Sequence, residues 1–515
     1  MRSLRRIITF FVIMAVGALY AQDGARVTGA GVGDASLDCM SDSCAYDNTI
    51  ITNYEAGAVY GGGSYAPMWH FANMHGIGSQ KSNWAYVSAG VDGCNIFKNT
   101  GISLNWGAEI VGGYNLASNV FVQQAYLDFD WKRVRVSLGQ KECWGEIQNP
   151  RLTTGALVES GNARPIPQIR LELPEYWNIP GTNGLVGIKG HIAYGWFTDG
   201  RWREEFVDSG KAHASGILYH SKAGFVRLGN EERFPLTAEI GLHMVTQFGG
   251  TSHNHLNKSG VTLSNPTRFK DYLMAFIPAK GDSQYSMADQ VNIMGNMLGS
   301  WLGSVTWNSE GWKLRLTYEH VFEDHSQMFW EYGLWTEQLV GLELVLKRNR
   351  WVNGLSFEYF NLKKQSGPVY HDSNSLIPDQ ISCVDNNYWH HTYNGWFNYG
   401  MMIGTPLVSS PLYNTDGTLG IYNNRVEAFH FGICGSPFKW LDYRVLVTRS
   451  NNWGTYSEPF TEIKNNTSGL VEFTFAHPSN MRWSARASFA FDKGELYGNN
   501  YGGMITITYR DIFRF

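Results

Sequence analysis

The sequence predicts an all-β protein, a transmembrane antiparallel β-barrel of about 18 strands with long extracellular loops and room for short helices that occlude the lumen. Three observations lead to this fold class. Apolar and polar residues alternate with period two in segments of about ten residues, aromatic residues stand at the ends of these segments, and short turns alternate with long loops. All three features are typical of outer-membrane barrels.

The composition argues against two other classes of protein. The 515 residues include 41 Lys and Arg against 45 Asp and Glu, which gives a formal net charge of −4 without a basic block. We therefore expect no nucleic-acid partner. The abundance of aromatic residues, with 19 Trp, 27 Tyr and 28 Phe, argues against intrinsic disorder.

The amino-terminal residues have the layout of a cleavable secretory signal. Arginines precede the apolar run Ile7–Leu19, and the small residue Ala21 follows it. The run is shorter than the about 20 apolar residues that a spanning helix needs. We expect a signal peptide over 1–21, a periplasmic segment of unknown role over 22–54, and the barrel over 55–515.

Cysteine usage fits an exported chain. Disulfides form in oxidising compartments, and the close spacing of Cys39 and Cys44 allows a local bridge. The sequence holds six cysteines, so their connectivity cannot be chosen from spacing alone.

The segment Leu127–Leu138 shows the strand pattern most clearly. A turn at Lys132–Arg133 places Asp130 opposite Arg135 and leaves the other face of the hairpin apolar. Because charged side chains are unfavourable in lipid, we expect this polar face to line the lumen. Charged residues in equivalent positions form the predicted lumen network: Asp128, Asp130, Arg135, Arg315, Glu319, Glu358 and Arg486.

Turns and loops alternate along the chain, as expected of short periplasmic turns and long outer loops. The predicted short turns are Lys98–Gly101, Lys132–Arg133, Asn230–Phe234, Asn308–Glu310, Arg348–Arg350, Gly435–Leu441 and His477–Asn480. The predicted long loops are Gln140–Arg164, Thr198–Ser215, Gly249–Gly299, Glu323–Gln338, Leu362–Asn424 and Asn451–Thr467. The predicted connection Pro174–Gly184 is long for a periplasmic turn. Ser286–Leu298 is predicted to be helical, with Ser286 and Asp289 as a capping box.

Aromatic residues at the predicted turns suggest an interfacial girdle. The carboxy-terminal strand ends in Phe515, which resembles the recognition signal of outer-membrane barrels, although Asp511 interrupts its apolar face. The tryptophans beside the turns are Trp131, Trp307, Trp312, Trp351 and Trp483.

Signals for catalysis or metal binding are weak. The Gly-Asp-Ser sequence at Gly281–Ser283 resembles a serine motif of hydrolases, but its flanking residues are those of an ordinary loop. His253 and His255, or His390–His391 with Asp385, could bind a metal, but their interpretation as polar loop residues is favoured. We therefore expect no enzymatic activity, no cofactor and no metal.

The long loops are rich in aromatic residues beside polar ones, a combination that suits saccharides. The apolar face of a sugar ring stacks on Trp or Tyr, and its hydroxyls pair with carboxylates, amides or imidazoles. The alternative is that these aromatic residues pack the loops against each other and cap the barrel. The candidate glycan-binding residues are Asp324, Trp335, Asp385, Tyr388, Trp389, Trp396, Trp453 and Tyr456.

Segments across most of the chain resemble the capsule-assembly Wzi family of outer-membrane proteins. They are VSLGQKE (Val136–Glu142), RPIPQIRLELP (Arg164–Pro174), GNMLGSW (Gly295–Trp301), YEHVFED (Tyr318–Asp324), FEYFNLKKQSGP (Phe357–Pro368), YNGWFNYGMMIGTPLVSSPLYN (Tyr393–Asn414), NNR (Asn423–Arg425) and NNWGTY (Asn451–Tyr456). The resemblance implies an 18-stranded barrel, partly occluded by helices, that acts as a non-enzymatic surface lectin. The region 1–54 matches nothing in the family.

From these features we expect a protein of the outer membrane of a Gram-negative bacterium. Its expected partners are capsular polysaccharide, outer-membrane lipid and the barrel-assembly machinery. Two other functions stay open: an outer-membrane porin or channel, and an outer-membrane lipid hydrolase or acyltransferase. The sequence does not name the sugar, the state of the lumen or the oligomeric state.

Overall fold

A computed structural model describes residues 48–291, 293–323, 327–330, 333–365, 386–477 and 482–515. The predicted signal peptide and the predicted Cys39–Cys44 bridge lie outside these residues and stay predictions. Cys94, on the barrel wall, is disulfide-bonded. Among the described residues, no helix is long and apolar enough to cross a lipid bilayer.

In this part of the chain, 18 antiparallel strands form one closed sheet. Each strand pairs with the next along the chain, and the last pairs with the first. Closure leaves no edge with unpaired backbone groups. The barrel strands are β1 (Thr49–Gly62), β2 (Asn83–Phe97), β3 (Ile102–Tyr114), β4 (Val120–Trp131), β5 (Val134–Gln140), β6 (Gln168–Asn178), β7 (Val186–Trp196), β8 (Leu218–Leu228), β9 (Leu236–Phe248), β10 (Asn296–Asn308), β11 (Trp312–Glu323), β12 (Gln338–Leu346), β13 (Gly354–Asn361), β14 (Val426–Phe438), β15 (Leu441–Gly454), β16 (Pro459–Ala476), β17 (Trp483–Gly494) and β18 (Asn500–Arg514).

The connections contain short elements of their own. The α-helices are α1 (Gly200–Phe206), α2 (Phe269–Phe276) and α3 (Met287–Val291). Single 3₁₀ turns span Met68–His70, His255–Asn257 and Pro411–Tyr413, and short strands span His213–Ser215, Thr251–His253, Leu263–Ser264, Phe397–Asn398 and Met401–Met402.

The barrel begins earlier than the sequence predicted. Strand β1 starts at Thr49, which pairs with Arg514 of β18 and with Cys94 of β2. Residues 49–54 therefore belong to the wall, and the predicted boundary at residue 55 is wrong. The period-two signal of these residues is weak because polar Thr52 and Asn53 are adjacent among them.

The register of the β4–β5 hairpin is the predicted one. Asp130 lies opposite Arg135 and Trp131 lies opposite Val134. Val134 and Val136 point outward, with 38% and 42% of their surfaces exposed. The charged pair therefore faces the lumen.

The outer surface of the wall is apolar, as a lipid-facing surface must be. Large hydrophobic side chains stay exposed along most of the strands. They include Leu127, Phe129, Ile169, Ile240, Leu316, Leu342, Phe357, Phe431, Phe489 and Ile505.

All the long connections lie at one end of the barrel, as predicted, although the connections 115–119, 455–458 and 495–499 at that end are short. We call this the long-loop end and the opposite one the short-turn end. The predicted loop Asn451–Thr467 is wrong, because β15 and β16 pair up to Gly454 and Pro459. The predicted Ser286–Leu298 helix is shorter than expected: α3 ends at Val291, and β10 begins at Asn296. The connection predicted at Pro174–Gly184 is also shorter, because β6 continues to Asn178.

Aromatic residues gather at the short-turn end. The Phe438 and Trp440 rings stack with centroids 5.3 Å apart, and Trp440 stacks on Phe475 at 6.2 Å. Trp483 contacts Tyr509 at 4.8 Å. This arrangement corresponds to the predicted girdle.

Candidate functional site

Segments from the long-loop end fold into the barrel and fill its middle. We call four of them the inner segments: 63–82, 141–167, 197–217 and 386–425. Together with inward-facing wall residues they form one hydrophobic core. Its fully buried members include Trp84, Leu157, Val158, Phe360, Tyr393, Phe397 and Met402.

Buried wall carboxylates hold the segment 141–167 by its backbone. Glu358 accepts a hydrogen bond from Thr154 N at 2.7 Å. Glu319 accepts from Leu157 N at 3.1 Å and from Gln148 Nε2 at 3.4 Å. Backbone N–H groups buried away from water need such partners. Two predicted lumen charges thus act as anchors for an inserted segment.

Glycine allows the same segment to approach the wall closely. A Cβ atom at Gly432 of β14 would lie 2.5 Å from Leu152 O. The neighbouring His430 contacts Leu152 O through Nε2 at 2.9 Å. The wall at this point is therefore shaped to receive the inserted backbone.

Two arginines join the inner segments to one another. Arg203 of α1 is fully buried, pairs with Asp199 at 2.8 Å, and donates to Tyr393 O and Phe397 O at 2.8 and 3.0 Å. Arg164 lies between the rings of Phe121 and Tyr399, 3.6 and 3.8 Å from their centroids. Sequence reasoning missed both arginines, because their partners are distant in the chain.

The other members of the predicted lumen network also face inward. Asp128 pairs with Lys141 at 2.8 Å, and Arg135 pairs with Asp130 at 2.6 Å. Arg315 donates to Ile147 O at 2.7 Å. Arg486 reaches Glu55 at 3.6 Å. The network is a structural one, since its groups pair with the wall or the inner segments.

A charged cavity of about 90 Å³ remains between the segment 141–167 and the wall. Burial acts to raise the pKa of Glu159, but hydrogen bonds from His243 and Tyr219 outweigh it and hold that pKa below its ordinary value. Burial raises the pKa of Glu142 to about 7 and lowers that of His75 to about 4. Both of these groups are therefore favoured in their neutral forms.

Two of the predicted glycan-binding residues are fully buried and cannot stack on a sugar. The Tyr388 hydroxyl donates to Leu157 O at 3.1 Å, and Trp396 Nε1 donates to Val158 O at 2.7 Å. Their aromatic surface packs the interior, which is the alternative considered for these loops. Asp324 and Asp385 lie outside the described residues.

The other aromatic candidates are accessible. Trp335 has 71% of its surface exposed and Trp389 has 37%. Trp453 and Tyr456 are half-buried. The pairing of β15 with β16 is irregular between Asn452 and Gly454, and such an irregularity redirects the side chain it contains.

Two cations contact these last aromatic rings at the long-loop end. Lys363 Nζ lies 4.5 Å from the Trp453 ring centroid, and Arg425 Cζ lies 3.7 Å from that of Tyr456. Arg425 Nε donates to Lys363 O at 3.1 Å, and Trp453 N donates to Arg425 O at 3.0 Å. We call these four residues the cationic-aromatic cluster.

Buried asparagines hold the segments around this cluster. Asn423 Nδ2 donates to Asn452 Oδ1 at 3.0 Å, and Asn424 Nδ2 donates to Asn387 O at 2.7 Å. Asn423, Asn424 and Asn452 of the NNR and NNW segments therefore have structural roles. Sequence reasoning missed Lys363 and Arg425 as site residues, although both lie in segments that carried the family resemblance.

Three side chains of the types that bind metals meet elsewhere at the long-loop end. Asp289, His390 and His391 each offer one ligand atom, and these atoms lie within 4.8 Å of one another. The hypothesis drawn from the sequence combined the two histidines with Asp385 and did not include Asp289.

The closed sheet, the apolar outer surface and the filled lumen define the class: an outer-membrane β-barrel of 18 strands with inserted segments, counted over the described residues. No protein-family model matches the chain, and no curated protein is significantly similar to it.

The fold is similar to that of Wzi of Escherichia coli, an outer-membrane protein involved in group 1 capsule assembly and described as a carbohydrate-binding β-barrel. The two chains are 12% identical, with 92% of this chain and 86% of Wzi covered and a TM-score of 0.51. The predicted resemblance is thus confirmed at the level of the fold.

Two solved porin-like barrels of Pseudomonas aeruginosa are less similar. OccK5 (OpdH) is 7% identical, with 91% of this chain and 98% of OccK5 covered and a TM-score of 0.46. OprD is 7% identical, with coverages of 93% and 100% and a TM-score of 0.45.

Proposed function

We propose that this protein is a non-enzymatic protein of the Gram-negative outer membrane that binds an acidic polysaccharide and helps to attach or organise a capsule. The cationic-aromatic cluster is the observation that carries the proposal. Aromatic rings suit the apolar faces of sugars, and adjacent cations suit their carboxylates. The similarity in fold to Wzi, a carbohydrate-binding barrel, supports the same function.

The position of the cluster fits this function. Lys363, Arg425 and Trp453 lie where β13, β14 and β15 end or begin at the long-loop end. Outer-membrane barrels direct their long loops to the cell exterior. Capsular polymer would therefore meet these residues without entering the barrel, and the inner segments would keep the site rigid.

A binding assay with the detergent-purified protein tests the proposal. Polygalacturonate serves as the acidic probe and dextran as the neutral one. We expect the double variant Lys363→Gln/Trp453→Ala to lose roughly tenfold or more of the affinity for polygalacturonate, because such contacts contribute about 1–2 kcal/mol each. The control Trp131→Ala/Lys132→Gln removes a similar pair at the short-turn end, where the cation and ring centroid are 5.1 Å apart.

The same variants can be compared in cells. A deletion strain should release its capsular polymer to the medium instead of retaining it on the surface. The parent and the short-turn control should restore retention, and the cluster variant should not. Normal retention by a correctly inserted cluster variant would refute the proposed site.

A channel is the second candidate function, and the charged cavity in the lumen is the observation that favours it. Planar-bilayer recording separates the two. We expect little steady conductance, because inner segments fill the middle of the barrel. A large steady conductance together with unchanged capsule retention would favour the channel.

A further inference from the structure

Side chains from two long-loop connections meet in a second cluster, which contains typical metal ligands. Asp289 belongs to α3, in the connection between β9 and β10, and His390–His391 belong to the inner segment 386–425. The His390 Nε2 and Asp289 Oδ1 atoms are 3.5 Å apart. We propose that Asp289, His390 and His391 form a binding site for a divalent transition metal of the zinc type.

The geometry fits such an ion. Ligand atoms about 2.0–2.1 Å from a tetrahedral Zn²⁺ lie about 3.3–3.4 Å from each other. The His390–Asp289 separation of 3.5 Å is close to this value, and the full set within 4.8 Å needs only a small contraction. Two imidazoles and one carboxylate are ligands that zinc accepts, and three protein ligands leave a fourth position open.

The surroundings orient the ligands. The Ser286 hydroxyl donates to Asp289 Oδ2 at 2.9 Å and lies 3.1 Å from His391 Nε2. The His255 ring approaches the His391 ring with centroids 5.7 Å apart. Asp289 is buried, so an ion bound there would be partly shielded from water. Hydrogen bonds to the outer oxygen of a carboxylate ligand are a common feature of metal sites.

Binding through His390 Nε2 requires the ring proton to move to the other nitrogen. His390 Nδ1 accepts a hydrogen bond from Thr392 N at 3.1 Å, so the ring proton resides on Nε2 beside Asp289. A metal on Nε2 takes the place of that proton, which moves to Nδ1 with loss of the Thr392 bond, so the ligand stays a neutral imidazole. The ion takes an electron pair from each nitrogen, and nothing is oxidised or reduced. The site would join the connection between β9 and β10 to the inner segment 386–425, independently of any saccharide.

The test uses Zn²⁺ and the full barrel purified in detergent without a histidine tag. Calorimetry and elemental analysis after dialysis should show one bound zinc per chain, and Co²⁺ should give the visible absorption of a four-coordinate site. His391→Gln and Asp289→Asn should each weaken zinc binding by roughly a hundredfold or more, since each removes a ligand.

His253→Gln is the matched control, because this residue lies near His255 and contacts Ser215 Oγ at 2.9 Å instead of the cluster. Its zinc affinity should equal that of the parent. Migration before and after boiling checks that each variant has folded; if Asp289→Asn fails, His391→Gln alone decides. Zinc binding that is absent from the parent, unchanged in His391→Gln, or lost in His253→Gln would overturn the proposal.

Discussion

Removing the two wall carboxylates that anchor the segment 141–167 should make this segment open more easily. In the double variant Glu319→Ala/Glu358→Ala, Leu157 N and Thr154 N lose their acceptors at 3.1 and 2.7 Å. A buried backbone donor left unsatisfied costs about 1–3 kcal/mol. The segment should therefore open at least about 2 kcal/mol more easily, which corresponds to roughly 30-fold faster amide exchange.

Hydrogen-exchange mass spectrometry of the barrel in micelles measures this change in peptides from 141–167. Glu239→Ala is the matched control. It removes a wall carboxylate that accepts a hydrogen bond from Ser304 Oγ of the neighbouring strand at 2.9 Å. Its exchange should match that of the parent. If the double variant inserts normally and exchanges as slowly as the parent in this segment, the anchoring role of these carboxylates is refuted.

Other predictions concern pH, register, orientation and assembly. Burial raises the pKa of Glu142 to about 7, so its stabilising neutral form is complete below about pH 4.5 and lost as the pH rises through about 7. Because His75, with a pKa of about 4, stays neutral over this range, Glu142 should account for a loss of at most about 3 kcal/mol of stability between pH 5 and 8, and Glu142→Gln should remove that part of the loss seen in thermal unfolding. Arg135→Ala should lower stability by about 1–3 kcal/mol in denaturant unfolding, since Asp130 loses its 2.6 Å partner; an unchanged midpoint would argue against the pair's importance. A membrane-impermeant maleimide should label Thr415→Cys on intact cells but not Arg233→Cys; the opposite pattern would invert the barrel. Deleting Phe515 should reduce the heat-modifiable species, and full assembly would show that the terminal residue is dispensable.

Much of the wall could be predicted because the barrel's pattern is local. A strand exposes alternate residues to lipid and lumen, so the alternation in Leu127–Leu138 determines which of these residues face the lipid and which face the lumen. The turn at Lys132–Arg133 then sets the pairing of Asp130 with Arg135 without reference to any other part of the chain. The ends of strands are less well encoded by this pattern. The polar residues of Asn451–Thr467 predict a loop, but β15 and β16 continue into this segment. Polar residues are compatible with strands that extend beyond the lipid.

The site depended on contacts between distant segments, which periodicity does not encode. Tyr388 and Trp396 have the composition expected of a sugar platform, but contacts with Leu157 and Val158, more than 200 residues away, bury them. The sequence alone determined the barrel class, most turn positions and the inward orientation of the wall charges, because period-two alternation and turn chemistry act between neighbours. Only the tertiary structure decided that the lumen is filled, that Lys363 and Arg425 meet Trp453 and Tyr456, and that Asp289 meets His390. These juxtapositions arise from the packing of inserted segments, where burial and long-range hydrogen bonds select the partners.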